Sequence, residues 1–164
     1  MSRLQKIIQA LQNWEQIAQT TFENNDVKAA ILAVSKSKLY NKGETKDGQK
    51  LITDIALLRK YKRQRYAGLT VAIKKSKSQI YEYVTLKDSG TFYASFNMKS
   101  YRGGFSIFAE GKKGGSDISD NFTKSFTDEK DFYDQVLPPQ PEGFAKIKQL
   151  ILTTFVKNLK NEML

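Results

Sequence analysis

The sequence predicts an α+β fold, in which an antiparallel sheet centred on a hairpin is packed by long N- and C-terminal helices. Apolar residues recur at three- and four-residue steps near both ends of the chain, which is the spacing of amphipathic helices. Between these ends, residues 96–101 and 105–108 flank Arg102-Gly103-Gly104 as the two strands of a β-hairpin would. The 164 residues, 40% of them hydrophobic, suffice for a single domain, 1–164, and contain no internal repeat.

The N-terminal helix is predicted from an apolar stripe that follows a Ser2 cap. The members of the stripe are Leu4, Ile7, Ile8, Leu11, Trp14, Ile17 and Ala18. Because Trp14 is in phase with the aliphatic residues, we expect its ring to lie in the core rather than to serve as a ligand platform. Residues 24–26 offer a break or a new cap, and helical spacing continues to about Lys38, so two helices or one bent helix begin the chain.

A strand, a short helix and the hairpin are predicted in succession between Val84 and Phe108. The β-prone run from Tyr83 to Leu86 meets Asp88-Ser89-Gly90, residue types that stop a strand and cap a helix by accepting its unpaired N–H groups. In the short helix that should follow, Phe92 and Phe96 are four residues apart and share one face. This segment is predicted to be the local nucleus against which the terminal helices pack.

The sequence leaves the conformation of residues 50–80 open. Turn-forming residues occupy 39–48, and residues 51–72 are compatible with a short basic helix or with an ordered arm. Leu69, Val71 and Ile73 alternate as in a strand, but the same residues could form a helical turn after Gly68. We therefore describe about 50–80 as a basic insertion or arm.

Downstream of the hairpin, polar and glycine-rich residues predict a flexible surface loop at about 110–120. Phe122, Lys124 and Phe126 alternate as in a last strand, and Thr127 is placed to cap a short acidic helix from Asp128 to Gln135. Pro138, Pro139 and Pro141 punctuate the chain before a long C-terminal helix. Its apolar stripe is Phe144, Ile147, Leu150, Ile151, Phe155, Leu159 and Met163, and Lys146, Lys148, Lys157 and Lys160 lie off it. We expect this helix to cover the sheet and to show a basic face to solvent.

The net charge of +10 favours a polyanion or an acidic protein surface as partner. No acidic residue occurs between Ile55 and Tyr81, where the candidate partner-binding residues lie. These are Arg59, Lys60, Lys62, Arg63, Arg65, Lys74, Lys75 and Lys77. They form either a solvated face that maintains solubility or a contact surface for nucleic acid or an acidic subunit, and the sequence does not choose between these interpretations.

The composition argues against catalysis. The chain has no histidine and no cysteine, which removes the usual general base, thiolate chemistry and the commonest transition-metal ligands. The sequence shows no pair of carboxylates with a recognisable acid–base or metal-binding spacing, and Lys112-Lys113-Gly114-Gly115 lacks the spacing of a phosphate-binding loop. We expect no catalytic residues, no cofactor and no metal. No run approaches the roughly 18 apolar residues of a membrane span, so no membrane partner is expected either.

Several segments of the chain resemble virion-morphogenesis proteins encoded by tailed phages and prophages, in particular those of Bacteroidales phages. The segments are LYNKG followed by KDGQKL, then AGLTVAIKKSKSQ, and above all VTLKDSGTFYASF, which together span about Leu39 to Phe108. In these proteins a Thr-Leu-x-Asp-Thr/Ser-Gly-x-Phe/Leu turn joins a strand to a short helix. The basic segment from Lys50 to Tyr66 departs from the family pattern as an insertion would.

The resemblance implies a structural virion protein without catalysis, a ring-forming head–tail connector, neck or tail subunit. The implied partners are further copies of this chain and portal or adjacent connector or tail subunits, with DNA in the lumen as a further partner. The implied location is the virion, after assembly in the host cytoplasm. The basic charge keeps a second function open, that of a nucleic-acid-binding protein.

Overall fold

Helices form most of the part of the chain that the structure, a computed structural model, describes: residues 2–51, 66, 68–87, 89–113, 116–117 and 129–163. The described helices are α1 (Arg3–Gln12), α2 (Trp14–Glu23), α3 (Asn25–Lys42), α4 (Gly68–Ser76), α5 (Thr91–Ala94), α6 (Glu129–Val136) and α7 (Pro141–Met163). The described strands are β1 (Asn97–Tyr101), β2 (Gly104–Phe108), β3 (Lys112–Lys113) and β4 (Ser116–Asp117). The predicted α+β class, a hairpin packed by terminal helices, is confirmed.

Three helices begin the chain. The Ser2 cap is confirmed, because Ser2 Oγ accepts a hydrogen bond from Gln5 N at 3.2 Å while Gln5 Oε1 accepts one from Ser2 N at 2.7 Å. The predicted first helix is interrupted at Asn13, a residue type whose short polar side chain favours caps over helix interiors. Asn24 caps α3 as expected, since its Oδ1 accepts from Asp26 N at 3.0 Å and from Val27 N at 3.2 Å.

The predicted hairpin is formed by β1 and β2, which pair antiparallel with Asn97 opposite Phe108 and Tyr101 opposite Gly104. The two-residue turn between them ends at Gly103, whose φ of +84° is readily accessible to glycine. Met98 on β1 is buried against Val27 and Ile31 of α3, which fixes the face of the hairpin that meets the helices. The strands β3 and β4 form a second antiparallel pair within the predicted loop.

The predicted C-terminal helix is present as α7 and starts at Pro141, but helices supply much of its packing surface. Ile147 and Ile151 pack against the cluster of Val27, Ile31 and Met98. Further along, the Asn158 amide donates to Thr21 Oγ1 at 3.2 Å, so α7 runs antiparallel to α3 and then along α2. The expectation that α7 covers the sheet is therefore corrected in part. Its off-stripe lysines, Lys146, Lys148, Lys157 and Lys160, are exposed as expected.

The larger core cluster joins the centre of the chain to α6. Its buried residues are Leu39, Leu51, Val84, Phe92, Phe96, Phe132, Val136 and Leu137. Phe92 and Phe96 lie on one face as predicted, with ring centroids 5.2 Å apart. The predicted acidic helix corresponds to α6, whose Phe132 and Val136 are fully buried.

Of the two predictions for the segment before α5, the strand is wrong and the cap by Asp88-Ser89-Gly90 is described in part. The run Tyr83 to Leu86 forms no strand; Val84 and Thr85 are buried in an irregular segment, and Leu86 has a φ of +56°. Ser89 Oγ accepts the hydrogen bond from Thr91 N at 3.3 Å, while Asp88 lies outside the described residues. The open question about Leu69, Val71 and Ile73 is answered, because they belong to the helix α4. The predicted strand at 122–126 and the Thr127 cap lie outside the described residues.

Candidate interaction surfaces

The structure describes three of the eight candidate partner-binding residues. Arg59, Lys60, Lys62, Arg63 and Arg65 lie outside the described residues. Lys74 and Lys75 lie in the last turn of α4, and Lys77 follows the helix. These three cations are close in sequence, but the structure places them in two different environments.

Lys74 points into the protein and is 4% exposed. Its ammonium lies 3.4 Å from both Gln79 Oε1 and Thr85 Oγ1 and donates to the Lys87 carbonyl oxygen. The same ammonium stands 4.5 Å from the ring centroid of Tyr66, a distance that permits a cation–π interaction. The sequence made Lys74 a candidate for partner binding. In the structure its ammonium instead joins α4 to residues 79–87.

Lys75 and Lys77 are exposed and remain on the surface beside α4. Lys75 Nζ stands 4.8 Å from the ring centroid of Tyr81. Because exposed ammonium groups are screened by water and salt, this cation–π contact holds Lys75 only weakly.

Tyrosines hold the segment around Thr85 in place. Tyr66 OH accepts a hydrogen bond from Thr85 N at 2.7 Å, and Tyr93 OH donates to the Thr85 carbonyl oxygen. Burial raises the pKa of the Tyr93 hydroxyl above its usual value, so this donor keeps its proton through the physiological range. The ammonium of Lys87 lies 4.5 Å from the ring centroid of Tyr40 on α3. These tyrosines hold in place the segment against which Lys74 of α4 is bonded. Sequence periodicity carries no information about these contacts.

Four large apolar side chains of the first two helices are exposed, and we call them the N-terminal apolar face. They are Leu4, 66% exposed, Ile8, 46%, Leu11, 59%, and Trp14, 51%. The prediction of a core position for Trp14 is wrong. The break at Asn13 separates the apolar stripe into two helices, and Ile17 and Ala18 are the stripe residues that become buried. The asparagine inside the stripe was the sequence signal for this break.

A groove of about 350 Å³ lies between β2, the C-terminal end of α6 and the start of α7, and we call it the α6–α7 groove. Its apolar lining consists of Phe105, Ile107, Tyr133, Pro138, Pro139 and Phe144. Phe105 and Phe144 stack with ring centroids 6.0 Å apart, so part of the wall is a fixed aromatic surface. Asp134 adds an exposed carboxylate to the lining. No sequence pattern indicates this groove, because its walls come from residues far apart in the chain.

Lys38 lies behind the proline segment of the groove. It is 6% exposed, and its ammonium donates to the Pro138 carbonyl oxygen. Burial lowers the pKa of Lys38 from 10.5 to about 7, opposed by the nearby charge of Asp47 and assisted by that of Lys46. The ammonium ties α3 to the loop that carries Pro138, which is a structural role.

Two kinds of site are absent from the part of the chain that the structure describes. No group of three or more acidic, histidine or cysteine side chains is placed to hold a metal ion among these residues. None of the described helices has the length and apolar character needed to cross a membrane.

No protein-family model matches the chain, and comparisons with curated proteins and with solved structures found no similar protein.

Proposed function

We propose that this protein is a structural virion protein of a tailed phage, a ring-forming subunit of the head–tail connector, neck or tail. The observation that carries the proposal is the N-terminal apolar face. Single exposed apolar residues are normal on a protein surface, but Leu4, Ile8 and Leu11 occupy one face of α1, and Trp14 follows directly. Such a surface is typical of a subunit whose fold is completed by a neighbour.

The resemblance of residues 39–108 to virion-morphogenesis proteins gives this assembly role its context. On that basis, the partners are other copies of the chain and the portal or an adjacent connector or tail subunit. A ring between portal and tail has head-to-tail contacts, in which two different surfaces of each copy meet. The location that follows is the virion, after assembly in the host cytoplasm.

We also infer that the subunit acts without catalysis. The chain lacks histidine and cysteine. Among the described residues, the buried Lys38 and Lys74 and the half-buried Tyr93 all bond to backbone carbonyl oxygens, so each has a structural explanation. We expect the purified chain to leave DNA and nucleoside triphosphates intact with and without Mg²⁺, and metal-dependent turnover of either would contradict this inference.

The assembly role is tested by native mass spectrometry and light scattering of the purified chain. We expect one closed oligomer whose mass does not grow with concentration, because a ring leaves no free interface once it closes. The position of the gene is an independent test, with portal, capsid and tail genes expected as neighbours. A chain that stays monomeric at every concentration and whose gene lies among replication genes would contradict the proposal.

A second function, nucleic-acid binding, is favoured by one observation. Lys75 and Lys77 are exposed, and the sequence of residues 55–81 contains no acidic residue. A stripe of lysine and arginine is the usual footprint of phosphate binding. A monomer that binds DNA with a steep salt dependence would favour this function over the structural one.

A further inference from the structure

We propose that the α6–α7 groove of one copy of this chain receives the N-terminal apolar face of the next copy. This inference rests on the proposed function, since it names the two surfaces that would meet in the ring. The two surfaces share no residue, as a head-to-tail contact requires.

The N-terminal apolar face has the form of a helix that binds in a groove. Leu4, Ile8 and Leu11 are spaced four and three residues apart, so their side chains lie in one row along α1. All three are exposed in the free chain, with Leu4 at 66%. Docking would therefore remove apolar area from water without moving any core residue.

The groove has the matching shape and composition. It is concave, and its aromatic and proline side chains are half-buried, so a helix face can contact rings that the fold already holds in position. A preformed groove needs little ordering on binding, which lowers the entropic cost of association. The stacked pair of Phe105 and Phe144 offers the kind of aromatic surface that anchors protein interfaces.

The charges of α1 and of the groove indicate what binds in the groove. The charged residues of α1 are Arg3 and Lys6, with no acidic residue in the helix, whereas the groove presents Asp134. A symmetric contact between two α1 helices would bring like charges together in a chain whose net charge is already +10. Contact between α1 and the groove brings Arg3 to a carboxylate instead. The opposite charges of α1 and the groove favour a second copy of the chain as the occupant, bound head to tail.

The first experiment removes each surface separately and measures the mass of the full chain by native mass spectrometry and sedimentation velocity. The helix variant carries Leu4→Ser and Ile8→Ser, and the groove variant carries Asp134→Arg. We expect self-association to weaken by about a hundredfold in the helix variant and about tenfold in the groove variant. The matched control carries Leu152→Ser and Val156→Ser, two exposed apolar residues four apart on the outer face of α7, and should assemble as the wild type does.

The second experiment tests the pairing itself. Arg3→Asp alone should weaken assembly, and the chain that carries both Arg3→Asp and Asp134→Arg should regain it, because the reversed charges again face each other across the contact. An equimolar mixture of the helix variant and the groove variant should stop at a dimer, since the two chains together retain one intact interface. Circular dichroism and thermal melting of every variant establish that the chain is folded.

The results distinguish this proposal from the proposed function. If the wild type forms a ring and both surface variants form the same ring, the proposed contact is wrong, but the proposed ring is still supported. A wild type that is monomeric at every concentration would overturn both. If the helix variant keeps its oligomeric state but loses binding to vesicles of anionic phospholipid, the N-terminal apolar face is a lipid-binding surface and the proposed contact is wrong.

Discussion

Lys38 illustrates how a single residue links packing to solution conditions. Its ammonium is surrounded by protein and bonded to the Pro138 carbonyl oxygen, and burial lowers its pKa to about 7. In the unfolded chain the pKa is that of a solvated lysine, 10.5. Between these two values the unfolded state binds more protons than the folded state, so the free energy of unfolding rises with pH.

We predict that the free energy of unfolding rises by about 2 kcal/mol between pH 7 and pH 9 through this residue. Lys38→Met shortens the side chain by one atom, removes the titrating group and should remove that part of the rise. The measurement is urea unfolding at three pH values, kept below the range in which solvated tyrosines titrate. Lys42→Met, exposed on the same helix, is the control and should keep the wild-type slope. Equal slopes for Lys38→Met and the wild type would contradict the assignment.

At the scale of elements, the end of α3 depends on Gly43. This residue is the C-cap of the helix, with a φ of +61°, and its N–H donates to the Leu39 carbonyl oxygen at 3.0 Å. A Cβ atom there would overlap the Val84 carbonyl oxygen and lie 2.9 Å from Tyr83 Cδ2. The position therefore requires glycine for two separate reasons, backbone conformation and close approach of another segment.

Three glycine-to-alanine variants separate these reasons. Gly43→Ala should lose clearly more stability than the roughly 1–2 kcal/mol that the left-handed conformation costs by itself. Gly90→Ala should lose about that conformational amount, because its φ is +92° but nothing lies within 4 Å of the added atom. Gly68→Ala meets no atom within 4 Å and should be neutral or slightly stabilising at the start of α4. Thermal melting measures all three, and equal losses for Gly43→Ala and Gly90→Ala would show that the contact with Val84 has no effect.

At the scale of the whole molecule, the positive charge falls in more than one part of the chain. In the sequence, Arg59, Lys60, Lys62, Arg63, Arg65, Lys75 and Lys77 form one group, from which the buried Lys74 is excluded, and the exposed lysines of α7 form another. We infer that the first group docks onto an acidic surface of an adjoining ring, because a channel that releases DNA is poorly served by strong phosphate contacts.

We predict that the variant in which Lys60, Lys62, Arg63 and Arg65 are replaced by Ser binds DNA at least as tightly as a matched control variant. The control replaces Lys146, Lys148, Lys157 and Lys160 by Ser, so both variants lose four charges. Affinity for duplex DNA is measured across a salt titration, and the mass of the oligomer is measured beside it. If the first variant alone loses affinity and its salt slope falls by about 0.9 for each lost phosphate contact, the segment binds nucleic acid.

Features that depend on neighbours in the chain could be predicted from the sequence alone. The Ser2 cap, a break or cap at residues 24–26, the hairpin of β1 and β2, and a C-terminal helix after the prolines were all predicted and are all present. Their hydrogen bonds and turns join residues within a few positions of each other or set one strand against the next, so residue type and spacing suffice to indicate them.

The tertiary structure decided which faces became buried, because burial depends on what the rest of the chain brings to each position. Trp14 is in phase with the apolar stripe and is nevertheless exposed, whereas Lys74 belongs to a basic run and is nevertheless buried. The bond from Lys38 to Pro138 joins residues 100 positions apart, and the α6–α7 groove combines β2, α6 and α7. Local periodicity carries no information about such distant partners, so both candidate docking surfaces became visible once the chain was folded.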